Sequence, residues 1–189
     1  MSETTQDRLI ESAHQIYLKE GTIPIGFSEV AEHAGVSRTL VYSHFSDPAE
    51  LVNAVLDRQS HALETAGLAN ISHTAPLETV MTDALEIYFD HLKEHGTLIH
   101  SVSQDSFMAG KLSPNYTALR NKSLIRLSRA AMKELKLSAR MSLPLTILIA
   151  SLAEEAARLV RARKSSEDTA KEVMIRSAVQ IIDGLALPN

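Results

Sequence analysis

The stretch from Phe27 to Phe45, FSEVAEHAGVSRTLVYSHF, leaves the chain little conformational choice. Phe27, Val30, Ala31 and Ala34 fall at i, i+3, i+4 and i+7, so they share one face of a short helix while Ser28, Glu29, Glu32 and His33 point away. Gly35 follows directly, and a glycine past a helix end adopts the left-handed conformation that a side chain resists. The chain can therefore reverse there, with Val36 filling the corner. Ser37 is placed to N-cap a second helix, Arg38 to Phe45, in which Val41 and Phe45 share the inward face. Two short helices on a glycine turn make a helix-turn-helix. Its outward face carries Arg38, Thr39, Leu40, Tyr42, Ser43 and His44. Hydroxyls, a guanidinium and a phenol at the start of an exposed helix suit the major groove of a duplex. The same corner also occurs in helical proteins with no nucleic-acid role, so the turn alone leaves both readings open.

The rest of the chain reads as helices. Its seven glycines are scattered and punctuate rather than cluster into a phosphate-cradling loop, and no strand alternation persists, so the fold class is all-α. About nine helices are expected. The first lies within RLIESAHQIYLKEG. Asp47-Pro48-Ala49-Glu50 is a complete start signal for the fourth, with Asp as N-cap, Pro at the first helical position and Glu three residues past the cap. Gly67 to Ala75 lacks periodicity and reads as a loop. Pro76 opens a helix that ends at Gly96, a shorter one runs from Leu98 to Met108, and Ser113-Pro114 opens a long one through about Leu137. Ser142 with Pro144 opens the next, through Arg163, and Ser165 or Ser166 caps the last, through about Leu185. This places a domain boundary at 46/47: a helix-turn-helix domain over 1–46 and a helical domain over 47–189.

With no cysteine, the chain has neither a disulfide framework nor thiolate chemistry, which accords with a reducing compartment. MSETTQDRLIES lacks the apolar core of a secretory signal, and the longest apolar run, Leu143 to Ala153, falls short of the ~20 residues that span a bilayer. A cytoplasmic protein with no membrane segment is expected. Charge is unevenly placed. Residues 1–50 hold Arg8, Lys19 and Arg38 against eight acidic side chains, a net charge of −5, while the remainder is nearly balanced. Affinity for a duplex would then rest on helix N-termini, hydroxyls and a paired copy rather than on Lys and Arg.

Two further patterns carry meaning. Leu145, Ile149, Leu152, Ala156 and Leu159 recur at alternating spacings of four and three, and Ala170, Val173 or Met174, Ser177, Ile181 and Leu185 recur at spacings of three or four in the last helix. Such stripes serve either this subunit's own core or a four-helix interface with a second copy. In the middle helices, Tyr88, Phe107, Tyr116 and Leu152 offer apolar or aromatic lining, with His91, His100, Gln104, Arg120 and Glu155 as polar contacts. They could line a small-molecule pocket or be plain core and surface. Signals for chemistry are thin. His91 and His95 lie one helical turn apart and His100 follows, but no cysteine or carboxylate sits at a matching spacing, no turn exposes a nucleophile, and Glu154 and Glu155 with Arg158 read as a helical ion pair. Neither an enzyme, a metal site nor a cofactor is expected.

The segment AEHAGVSRTLVYSHFSDPAEL resembles the signature of the tetracycline-repressor (TetR) family of transcriptional regulators. The residues that carry the resemblance are Val30, Ala31, Ala34, Gly35, Val36, Ser37, Tyr42, His44, Phe45, Asp47, Glu50 and Leu51, with Arg8, Leu9, Ile10, Ala13, Ile16, Tyr17 and Gly21 upstream. The chain departs from the pattern at Gly26, where the family usually has a capping Ser or Thr, at Pro48 in place of a lysine, and at Thr39-Leu40 in place of Gly-Thr. These departures bear on phosphate affinity rather than on fold.

The resemblance implies a three-helix head followed by a larger helical bundle, dimerisation through the last two helices, and a small-molecule effector between the middle ones. The apolar and aromatic lining points to an apolar or aromatic effector. It further implies a ligand-responsive repressor that binds double-stranded DNA as a homodimer on a palindromic operator. Arg38, Thr39, Leu40 and Ser43 would then face base edges, and Ser37, Tyr42, His44 and Arg8 the phosphate backbone. The rival expectation, favoured by the acidic head, Gly26 and Pro48, is an all-α ligand- or partner-binding protein that has lost specific DNA binding.

Overall fold

The computed structural model describes residues 4–71 and 75–186. Among these residues the regular structure consists of nine α-helices and one 3-10 turn, with no strand. The helices are α1 (Thr5–Glu20), α2 (Phe27–Ala34), α3 (Arg38–His44), α4 (Pro48–Thr65), α5 (Leu77–His95), α6 (Leu98–Ser101), α7 (Pro114–Leu135), α8 (Ala139–Arg161) and α9 (Glu167–Leu185). They form two compact units, Met1–Ser60 with Leu98–Tyr116, and His61–Thr97 with Thr117–Asn189.

In the first unit, α1 starts on a capping box. Asp7 N–H donates to Thr4 Oγ1 (3.1 Å) and Thr4 N–H to Asp7 Oδ2 (3.2 Å), so two orphan amides are satisfied together. The face of α1 bearing Leu9, Ala13, Ile16 and Tyr17 is buried, and α1 packs on α2, which packs on α3. The segment after α5 is fastened to this unit by polar contacts. Tyr17 and Ser101 hydroxyls lie 2.9 Å apart, and the Tyr116 hydroxyl donates to Ile99 O (2.7 Å). Asn53 of α4 donates to Lys111 O (2.7 Å) and accepts from Ser113 N–H (3.0 Å). Asp57 accepts from the Ser113 hydroxyl, which in turn caps α7 by accepting from Tyr116 N–H (3.0 Å).

The second unit is built on α5, which packs on α8 and α9, themselves packed together. Val80, Met81, Ala84, Leu85, Phe89 and Leu92 of α5 are buried, as are Ile149, Ala153 and Ala157 of α8 and Ala170, Met174, Ala178 and Ile182 of α9. The small side chains are what allow α8 and α9 to approach closely. Pro76 at the head of α5 offers no capping side chain, and Glu134 of α7 supplies the acceptor for Leu77 N–H instead (2.8 Å).

Three sequence expectations are corrected. The helix expected from Leu98 to Met108 stops at Ser101 and gives way to turns. The Ser103 hydroxyl donates to His100 O (2.8 Å) and Asp105 Oδ1 accepts from Phe107 N–H (2.8 Å), the local bonding by which short polar side chains compete with a helical ladder. Helix α8 opens at Ser138 rather than Ser142, with Pro144 inside it. An interior proline costs about 3 kcal/mol or more, yet Ser142, Leu145, Thr146 and Ile149 bury one continuous face across it. Thr146 Oγ1 donates to Ser142 O (2.9 Å) beside the interrupted ladder. Finally, the loop expected from Gly67 to Ala75 contains the 3-10 turn Leu68–Asn70, while its residues 72–74 lie outside the described residues.

Candidate nucleic-acid interface

Every element of the corner read from the sequence is in place. Gly35 takes φ 66°, ψ 36°, its N–H returns to the last turn of α2, and Val36 N–H donates to Ala31 O (3.0 Å). Ser37 Oγ accepts from Leu40 N–H (3.2 Å), which fixes the first turn of α3. Val41 and Phe45 are fully buried and anchor the helix. At its far end Asp47 Oδ1 accepts from Ala49 N–H (2.7 Å) and Glu50 N–H (3.0 Å). Glu50 turns back one residue further than a standard capping box, to Ser46 N–H (2.6 Å) and the Ser46 hydroxyl (2.7 Å). The Ser46 backbone N–H first, then its hydroxyl, holds the Glu50 carboxyl below the usual carboxylate value. Helix α3 is thus clamped at both ends, and only its outer face is left to act.

Arg38, Thr39, Tyr42 and Ser43 are exposed on that face, with Leu40 and His44 half-buried. Arg38 Nη2 donates to the Tyr42 hydroxyl (3.0 Å). The Ser43 hydroxyl donates to Leu40 O (2.7 Å), so its lone pairs rather than its proton face outward. Ser37 uses its oxygen as the cap. Arg8 is exposed on α1, apart in sequence from this group. At the start of α2, Gly26 provides no side-chain cap, and a Cβ there would meet the Glu29 carboxylate at 3.1 Å.

The residues expected to contact a ligand fall in both units. In the first, His100 Nε2 lies 3.0 Å from Gln104 Nε2, Gln104 is exposed, and Phe107 lies beneath the Lys111 ammonium (4.1 Å to the ring centroid). Tyr116 is buried, with its hydroxyl on Ile99 O. In the second, the Tyr88 hydroxyl donates to Glu154 Oε1 (3.1 Å). His91 is buried with its ring 4.7 Å from that of His95, and Leu152 is half-buried. Arg120 is exposed, and so is Glu155, which pairs with Arg158 (2.7 and 2.5 Å). The carboxylate that joins Tyr88 is therefore Glu154, which the sequence reading placed in the Arg158 ion pair. Neighbouring glutamates lie about 100° apart around a helix, and only the packing of α8 on α5 decides which one turns inward. Among the described residues no three His, Asp or Glu side chains gather to hold a metal ion.

Of the stripes on the last two helices, Leu145, Ile149 and Ala156 are buried in the chain's own core. Leu152, Leu159 and Ser177 are half-buried, while Val173 (59%), Ile181 and Leu185 are exposed. Met141 (54%) and Leu148 (64%) extend the exposed apolar face along α8.

Residues 9–55, which span α1 through the first half of α4, match the profile of the bacterial regulatory proteins, tetR family. The similarity to that family lies in the helix-turn-helix region, about a quarter of the chain. Over 56 residues the chain is 39% identical to the HTH-type transcriptional regulator TtgR of Pseudomonas putida, a match covering 30% of this chain and 27% of TtgR. A longer match, 25% identical over 115 residues, covers 58% of this chain and 54% of the HTH-type transcriptional repressor BepR of Brucella suis. The match to TtgR thus spans little more than a quarter of that regulator's length. A TetR-family regulatory protein from Rhodococcus RHA1 superimposes with a TM-score of 0.72 over 100% of both chains at 14% identity, so the all-α fold is shared along the whole chain. No helix among the described residues is long and apolar enough to cross a membrane.

Proposed function

We propose that this protein is a ligand-responsive transcriptional repressor of the TetR family that binds a palindromic DNA operator as a homodimer. One observation carries the reading: α3 is clamped at both ends over a buried Val41 and Phe45, and presents Arg38, Thr39, Tyr42 and Ser43 outward. A helix so mounted fits a major groove. Arg38, Thr39, Leu40 and Ser43 face base edges, and Ser37, Tyr42, His44 and Arg8 position the phosphate backbone. Residues 1–46 act as the reading head, and 47–189 as the body that dimerises and takes the effector.

The dimer reading is supported by the exposed apolar face of Met141, Leu148, Val173, Ile181 and Leu185 on α8 and α9. Two copies related by a two-fold axis would place two α3 helices about one turn of DNA apart (~34 Å). The effector is an apolar or aromatic molecule held among the middle helices, with Tyr88 and Glu154 a polar pair within reach of such a site. Its binding favours a head spacing that no longer matches the operator, transmitted through α4, and this requires unequal affinity for the two states. On the sign of regulation the relatives' names divide, BepR being named a repressor and FasR of Mycolicibacterium smegmatis an activator.

The test is selection of DNA fragments by the purified protein at low and at physiological salt, followed by sequencing. Recovery of one palindromic motif is expected, and its neighbouring genes would point to the effector. Folded dimer that selects no motif at either salt would favour the rival reading, a helical binding protein that has lost specific DNA recognition, to which the −5 charge of residues 1–50 lends weight.

A further inference from the structure

Tyr42 and Arg38 are one helical turn apart on α3, and the structure joins them. Arg38 Nη2 donates to the Tyr42 hydroxyl at 3.0 Å, and the guanidinium carbon lies 5.4 Å from the centre of the Tyr42 ring. The ring itself is held from the other side. It meets the ring of Phe27 edge-on, with centroids 4.9 Å apart and planes at 77°. Phe27 is 5% exposed at the first position of α2, whereas Tyr42 is 51% exposed. A chain of contacts therefore runs from the buried α2 face through an exposed ring to a guanidinium on the reading surface.

We propose that Tyr42 acts through Arg38, as a positioning residue that fixes the guanidinium to read a guanine, rather than chiefly as a phosphate contact. The inference rests on the operator-binding reading above and assigns roles within it. An unconstrained arginine loses rotamer freedom on binding, and immobilising such a side chain costs about 0.5–1.5 kcal/mol. The pair i, i+4 on Tyr42 removes much of that loss in advance. A guanidinium has five N–H donors, and the Tyr42 bond uses one. Four remain, enough for the bidentate approach to guanine O6 and N7, the commonest specific arginine contact. Tyr42 Oη accepts from Arg38, so its own proton stays available to a phosphate, and the two roles differ in what they predict for sequence dependence. A phosphate contact weakens all duplexes alike, while a positioning role is felt at one base pair.

The experiment uses the whole chain, the operator recovered by selection, its single-base variants and an unrelated duplex. Tyr42→Phe keeps the ring on Phe27 and the cation over the ring, and removes only the hydroxyl. Expected are an unchanged melting curve and a loss on the operator that exceeds any loss on the unrelated duplex by about threefold to tenfold, the excess being abolished when one G·C pair is replaced. Arg38→Lys is expected to lose selectivity at that same pair, and adding Tyr42→Phe to it is expected to have no further effect. Uniform loss on every duplex, additivity of the two changes, or full retention of selectivity in Tyr42→Phe would each overturn the proposal. If the wild-type protein itself selects no motif, the operator reading falls and this inference falls with it. If wild type and Tyr42→Phe discriminate bases equally, only the inference falls.

Discussion

At the scale of single residues, the outer face of α3 is sparing. Its one full positive charge is Arg38, and the remaining groups are hydroxyls, a phenol, a half-buried imidazole and a leucine side chain. Arg38 should therefore carry a large share of base discrimination. Arg38→Ala is expected to weaken operator binding by about 1–3 kcal/mol, read by equilibrium titration against operator and unrelated DNA. Unchanged affinity would remove Arg38 from the interface. The residue types on this face were legible from sequence, since the glycine turn and the Val41, Phe45 pair fix the phase of the helix. The Arg38 to Tyr42 bond and the inward turn of the Ser43 proton were not, because rotamers follow from neighbours such as Phe27 that lie on another helix.

Elements differ in how locally they are specified. The start of α4 is written in four consecutive residues, and Glu50 completes it by accepting from Ser46. Its folded-state pKa is depressed, so its contribution is present above the usual glutamate value of 4.5 and is lost as pH falls through the lower folded value. Glu50→Gln should therefore lower the melting temperature at neutral pH and narrow the difference from wild type in acid. A constant gap across pH would mean that the Ser46 contact is not what depresses the carboxyl. Helix α8 is the opposite case. Read alone, Pro144 marks a helix start, but burial of Ser142, Leu145, Thr146 and Ile149 carries the helix through it. Pro144→Ala restores an N–H to the ladder at an exposed position and should stabilise the protein by about 1–3 kcal/mol in denaturant melts. No gain would show that the packing of α8 itself requires the proline.

For the whole molecule, assembly and charge decide how binding would behave. Leu148 and Val173 are 64% and 59% exposed on the apolar face of α8 and α9, and a homodimer would cover them. Leu148→Glu with Val173→Glu should give a folded monomer by light scattering and lose operator binding, since each head alone holds half the contacts. A dimer that survives both charges would place the interface elsewhere. Residues 1–50 carry few cations, and the proposed reading assigns phosphate or base contact to two of them, Arg8 and Arg38. Four such groups per dimer give an expected log-log salt slope of about −4. A slope of about −10, the steepness of a repressor that neutralises many phosphates with Lys and Arg, would contradict the charge argument.

The chain's own order of residues determined the helical class, the corner from Phe27 to Phe45, the caps at Ser37, Asp47 and Ser166, and the family resemblance of its first quarter. All of these depend on interactions within a turn or two of helix, where i, i+3 and i+4 neighbours are set by the backbone alone. Tertiary structure decided where α6 stops, that α8 runs through Pro144, which of Glu154 and Glu155 meets Tyr88, and which part of the α8 stripe is core. Each of those choices turns on what another helix places opposite, and burial of a shared face outweighs a local preference of a few kcal/mol.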